Sequence, residues 1–121
     1  MAQADTRVIV IDDDADARQT LSSVLQDVGC EVRSAADGMA ALGMIGEFDP
    51  HCVILDVEMP GLDGLALSRQ LREAHGHDIV LIGITGHQLG DAKVDATFQL
   101  VDHWFTKPIE LDKLVKLIRA M

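Results

Sequence analysis

"CVILDVEMPGLDG", residues 52–64, decides how this chain folds. Four apolar residues, Cys52 to Leu55, run without interruption into a single acid, Asp56. A short continuous apolar run is a strand covered on both faces, as in a parallel sheet packed between helices. Met59-Pro60-Gly61 and Asp63-Gly64 then break regular structure. The strand is therefore buried along its length and holds one carboxylate at its end.

The same alternation extends in both directions. "VIVI" (8–11), "CEVRSA" (30–35) and "IVLIGI" (79–84) are strand-like, and "WF" (104–105), just before Lys107-Pro108, is a shorter fifth candidate. Between the first two, Ala17, Leu21, Val24, Leu25 and Val28 keep helical spacing, and Gly29 stands where a helix would be capped. Asp37-Gly38 opens a second helix through Ala41, Leu42 and Ile45; Leu67, Leu71 and Ala74 mark a third; Leu111, Leu114, Val115 and Ile118 mark the last. Strand and helix in alternation predict a doubly wound α/β fold on a five-stranded parallel sheet.

Residues 91–100 are ambiguous. Ala92, Val94, Ala96, Phe98 and Leu100 alternate with polar neighbours, the period of a strand. A sixth strand would lack a crossover, so a helix is expected, with two competing apolar stripes, Leu89-Ala92-Ala96 and Val94-Phe98-Val101.

At 121 residues the chain suits one domain, taken as 1–121 with no output domain after Met121. Its core draws on Leu, Val, Ile and Ala, with few aromatics. No apolar run approaches a membrane span, and the first residues lack the regions of a signal peptide, so a cytoplasmic location and no membrane partner are expected. Cys30 and Cys52 are expected to be free, buried thiols. The net charge of −10, without a Lys/Arg cluster, disfavours nucleic acid as a partner. Some of the acids are candidates for holding a cation instead.

In open parallel sheets, ligands gather outside the carboxyl ends of the strands. There the chain places Asp12-Asp13-Asp14, Asp56, Thr85-Gly86 and Lys107. Each has an ordinary explanation by itself. The three acids can cap a helix, Asp56 can end a strand, Thr85-Gly86 is a common strand exit, and lysines are common on surfaces. Their coincidence at four strand ends is harder to dismiss. Carboxylates about 4 Å apart repel by several kcal/mol at surface-like dielectric. A hard divalent cation relieves that repulsion, and Mg²⁺ favours few carboxylates together with waters and phosphate. Asp56 is then a candidate oxygen nucleophile toward phosphorus, with Thr85 and Lys107 placed to meet the phosphoryl oxygens.

These motifs, "VIVIDDD", "VILDVEMPGLDG", "IGITG" and "HWFTKPIELDKL", resemble in order and spacing the receiver domain of bacterial two-component response regulators, over essentially the whole chain. The resemblance implies a flavodoxin-like fold with strand order 2-1-3-4-5, an arrangement that general accounts of the fold illustrate with this family. It implies Asp56 as phosphoacceptor, and Asp12, Asp13, Asp56 and the backbone carbonyl of Glu58 as protein ligands to Mg²⁺. Thr85 and Lys107 match the phosphate-sensing pair, and Trp104 takes the place of the switch aromatic. The donor would be the phosphohistidine of a histidine kinase or phosphotransfer protein. The expected role is signalling, with catalysis confined to the domain's own phosphorylation and dephosphorylation. A downstream protein partner would read a monomer or a phosphorylation-dependent dimer.

The chain departs from the family pattern in three ways. The switch aromatic is usually Tyr or Phe, and a larger Trp is expected to turn inward poorly. Leu100 and Val101 replace the usual Gly-Ala helix ending. The expected absence of an output domain would fit a stand-alone regulator or a receiver belonging to a larger protein such as a hybrid kinase.

A haloacid-dehalogenase-like aspartyl-phosphate phosphatase is the enzyme alternative, because "ILDVE" resembles its nucleophile strand and "LIGIT" its strand ending in Thr. That family places its acid pair after the lysine, whereas here the pair precedes Asp56. An interaction module without phosphorylation is the other alternative. Of the histidines, His75 and His77 are expected in a loop, His51 and His103 beside strands, and His87 as at most a modulator two residues after Thr85.

Overall fold

The computed structural model describes residues 6–56, 64–86 and 99–121. Among them the elements are β1 (Arg7–Ile11), α1 (Ala15–Asp27), β2 (Glu31–Ala35), α2 (Gly38–Phe48) and β3 (Cys52–Asp56), followed by α3 (Gly64–His75), β4 (Val80–Thr85), β5 (His103–Thr106) and α4 (Leu111–Arg119). The strands form one sheet in the order β2-β1-β3-β4-β5, and every pairing is parallel.

Side chains alternate across the sheet and so build two cores. Ile9, Ile11, Val53, Leu55 and Leu81 pack with Ala41, Ile45 and Phe48 of α2 and with Leu67 and Leu71 of α3. On the opposite face, Val8, Val10, Cys52, Ile54, Ile82 and Ile84 pack with Leu21 and Leu25 of α1 and with Leu114 and Ile118 of α4. β3 lies at the centre and all five of its residues are buried. The edge strand β2 is different: Glu31, Arg33 and Ser34 are exposed, so the rule of apolar strands without a solvent side stops at this edge. Arg33 spreads its guanidinium over the Phe48 ring, 4.6 Å from the centroid, and so covers that edge of the core.

Local signals set the helix ends. Asp14 caps α1, its side chain accepting from the Asp16 and Ala17 N–H groups. At the other end, Gly29 adopts φ 100°, with Gly29 N–H donating to the Gln26 carbonyl and Cys30 N–H to the Leu25 carbonyl, a Schellman ending. Asp37 caps α2 by accepting from Ala40 N–H at 2.8 Å.

Cys30 and Cys52 are free and buried, as expected, and burial pushes both thiols up from their ordinary pKa. Two placements need correction. His75 is the last residue of α3 and not part of a loop, and His103 is the first residue of β5 and not a flanking position. In both cases the hydrogen-bonded ladder runs further than the apolar pattern does. The helix expected over 89–101 falls largely on residues outside the described ones, as do Glu58 and His87. Of its end, Leu100 lies in a turn and Val101 packs against the core on the α2 and α3 side.

Candidate functional site

Parallel register brings the strand ends to one rim. Ile11 is opposite Leu55, so the residues after them, Asp12 just beyond β1 and Asp56 at the end of β3, stand side by side. Asp12 N–H extends the ladder by donating to the Ala35 carbonyl at 3.2 Å. Thr85 pairs with Thr106, and Lys107 N–H donates to the Thr85 carbonyl at 2.9 Å, which fixes where the lysine leaves β5. The Lys107–Pro108 peptide is cis.

The side chains then converge. Carboxylate oxygens of Asp12, Asp13 and Asp56 lie within 4.8 Å of one another. Lys107 Nζ donates to Asp56 Oδ2 at 2.8 Å. Asp12 is 8% exposed and Asp56 4%, whereas Asp13 is open to solvent. Thr85, 1% exposed, ends β4 between the strands that carry Asp56 and Lys107. Burial pushes the Asp12 carboxyl above its ordinary value, the Asp14 N–H bond to Oδ1 at 2.9 Å partly offsets this, and the negative charge of Asp56 adds to the rise. Desolvated carboxylates held this close favour a cation, and with three oxygen donors from two strand ends the set suits a hard one.

The Asp12-Asp13-Asp14 run divides its labour. Asp14 caps α1, while Asp12 and Asp13 turn to the cluster. The capping reading of the acidic run therefore holds for Asp14, while Asp12 and Asp13 lie instead with Asp56 in the cluster. Sequence reasoning missed Arg18, whose Nη1 donates to the Asp12 carbonyl at 2.7 Å and holds the loop between β1 and α1. Its only signal is a position four residues after the cap, on the face that returns toward the loop.

Trp104 is half-buried on β5, opposite Gly83 on β4. Its six-membered ring lies so close over Gly83 that a Cβ there would stand 2.9 Å from Cζ3. The other histidines lie elsewhere. His51 Nδ1 accepts from Arg7 N–H at 2.9 Å at the start of β1, and His77 Nδ1 lies 3.8 Å from Asp102 Oδ1.

The sequence profile of the response regulator receiver domain matches residues 8–119. The chain belongs to this family. The receiver domain is 36% identical over 115 residues to "Response regulator MprA" of Mycobacterium sp. (strain KMS) and, equally, of Mycobacterium avium (strain 104); 95% of the chain and 50% of each relative are covered. It thus spans about half the length of these curated relatives. Among solved structures it is similar to the Francisella response regulator 1452 receiver domain, with TM-score 0.84 and 26% identity over 96% of this chain and 95% of that one. It is also similar to the chemotaxis response regulator CheY4 of Vibrio cholerae, with TM-score 0.82 and 28% identity over 95% and 97%. A third likeness, with TM-score 0.84 and 28% identity over 96% and 98%, is to the response regulator TrrA of Thermotoga maritima in complex with Mg²⁺-BeF.

The receiver domain is therefore a signalling module of two-component systems, with the strand order expected of it. The dehalogenase-like alternative finds no support in these likenesses. Among the described residues, no helix is long and apolar enough to cross a membrane.

Proposed function

We propose that this receiver domain takes a phosphoryl group onto Asp56 from the phosphohistidine of a histidine kinase or phosphotransfer protein, and that the change is read by a downstream protein partner. The observation that carries this reading is the clustering of the Asp12, Asp13 and Asp56 oxygens within 4.8 Å, with Lys107 Nζ at 2.8 Å from Asp56. Asp12, Asp13 and Asp56 would hold Mg²⁺, together with the Glu58 carbonyl that the family resemblance assigns; the ion supplies charge neutralisation for the phosphoryl oxygens.

In the transfer, an Asp56 carboxylate oxygen attacks phosphorus, the P–O bond forms as the P–N bond to histidine breaks, and the electron pair returns to the imidazole nitrogen. β3 holds Asp56 at a fixed position, so little ordering is left for the moment of reaction. Lys107 and the Thr85 hydroxyl stand where the charge of the phosphoryl oxygens is distributed. Hydrolysis reverses the attachment when water attacks phosphorus and the Asp56 carboxylate leaves.

The test is incubation with Mg²⁺ and acetyl phosphate. Wild type should gain one phosphoryl group, labile to base and hydroxylamine, and Asp56→Ala should gain none. Equal modification of Asp56→Ala would remove Asp56 from the role.

A further inference from the structure

The indole of Trp104 rests where β4 has no side chain. Of the six residues in β4, only Gly83 lacks one, and the register sets Gly83 directly opposite Trp104. Glycine inside a strand weakens it unless another group makes use of the space, and an aromatic lying across the glycine from the next strand is one such use. Here the fit is close. A Cβ on Gly83 would meet Cζ3, Cη2 and Cε3 of the indole at 2.9, 3.2 and 3.3 Å, so even a methyl group requires the ring to move. Gly83 is itself buried and Trp104 half-buried, so the ring covers a part of the sheet that would otherwise be thin.

We propose that Gly83 is the positioning residue for Trp104: its missing side chain is the seat that lets an aromatic as large as an indole lie inward across β4. Gly83 and Thr85 are two apart on one strand and so share a face of the sheet, which puts the seat beside the Thr85 end of the rim. An open groove of about 200 Å³ is lined by Trp104 itself together with Phe105, Thr106, Pro108, Glu110 and Lys113. A ring displaced from Gly83 has that space within reach. The chain thus offers the aromatic an inner and an outer place, and the residue at position 83 sets the balance between them. Calling Trp104 the switch aromatic rests on the proposed function; its seat on Gly83 does not.

The test compares wild type with Gly83→Ala, using Trp104, the single tryptophan, as reporter. No phosphoryl donor is needed, so failure at Asp56 and failure of this inference are separable. Gly83→Ala should move the emission to longer wavelength and raise acrylamide quenching. It should lower Tm by about 3–8 °C in the Trp104 background, and by much less in a Trp104→Ala background, where the ring it strikes is gone. If Gly83→Ala alone fails to fold, folding of the Gly83→Ala, Trp104→Ala double variant supports the seat, and failure of both overturns it. A folded Gly83→Ala protein with wild-type emission and quenching, or an equal Tm loss in both backgrounds, also overturns it.

Discussion

Lys107 Nζ and Asp56 Oδ2, 51 positions apart in the chain, lie 2.8 Å apart across the end of β4. The lysine side chain is 43% exposed and the aspartate side chain 5%, so the ammonium reaches in from solvent to a carboxylate that the sheet has already desolvated. An ion pair with one exposed partner adds little stability by itself, because water screens it. Its consequence lies in competition: Lys107 neutralises an oxygen of the cluster that a divalent cation would also seek.

Removing that ammonium should therefore tighten cation binding. In Lys107→Met the stem remains and the charge is lost, and Mg²⁺ affinity measured by calorimetry should rise about three- to tenfold at low salt. The gain should shrink as ionic strength increases. Affinity that falls or stays unchanged would mean that Lys107 and the cation do not compete for the same oxygens.

Asp12→Asn should act in the opposite sense on binding. The amide oxygen can still accept from Asp14 N–H, but the buried charge beside Asp56 is gone. Mg²⁺ affinity should fall, while the metal-free protein at pH 7 gains about 1–2 kcal/mol in urea unfolding with chelator present. The folded Asp12 carboxyl is raised above its ordinary value, so its penalty is complete above the folded pKa and is relieved as pH falls toward 3.8. The advantage of Asp12→Asn should therefore diminish toward pH 4. An equally large advantage at pH 4 and pH 7 would assign the gain to something other than charge.

At the opposite end of the sheet, Arg72 ties three segments together. Its guanidinium donates to the Leu100, Gly76 and Ile79 carbonyls at 2.7, 2.8 and 3.1 Å and to Asp102 Oδ2 at 2.7 Å, and that same carboxylate oxygen accepts from Leu81 N–H. Arg72→Ala should cost about 2–4 kcal/mol, since these partners lose a largely buried donor. Burial alone would raise Asp102, but the hydrogen bonds from Arg72 and Leu81 and the Arg72 charge outweigh it and hold the carboxyl below its ordinary 3.8. Its stabilisation is then complete above that value and lost as pH falls through the folded pKa. The deficit of Asp102→Asn relative to wild type should be larger at pH 7 than at pH 3. A deficit independent of pH would contradict the ion pair.

The exposed side of α2 should be easy to improve. Gly43 and Gly46 lie inside the helix, and a Cβ at either would meet nothing within 4 Å. Gly43→Ala and Gly46→Ala should each stabilise by about 0.5–1 kcal/mol, through helix propensity and a less free unfolded chain. A loss on thermal unfolding for either would show that the glycine serves a contact in solution.

The strands, α1 to α3 and α4 could be read from the sequence because their apolar periods differ and the acids at their ends stand out. Asp12, Asp56 and Thr85 were identifiable as candidates for the same reason, since each ends or directly follows a buried run, with Asp13 next to Asp12; Lys107 follows a half-buried strand and stood out by its place before Pro108. Three other features belong to the tertiary structure alone. Asp14 caps a helix while its two neighbours join the cluster, and local sequence cannot divide three identical side chains. Arg18 reaches a backbone carbonyl, and a carbonyl leaves no mark in a sequence. Gly83 reads as a weakness in its strand until parallel pairing sets it against Trp104, because register joins residues 21 positions apart that no local pattern connects.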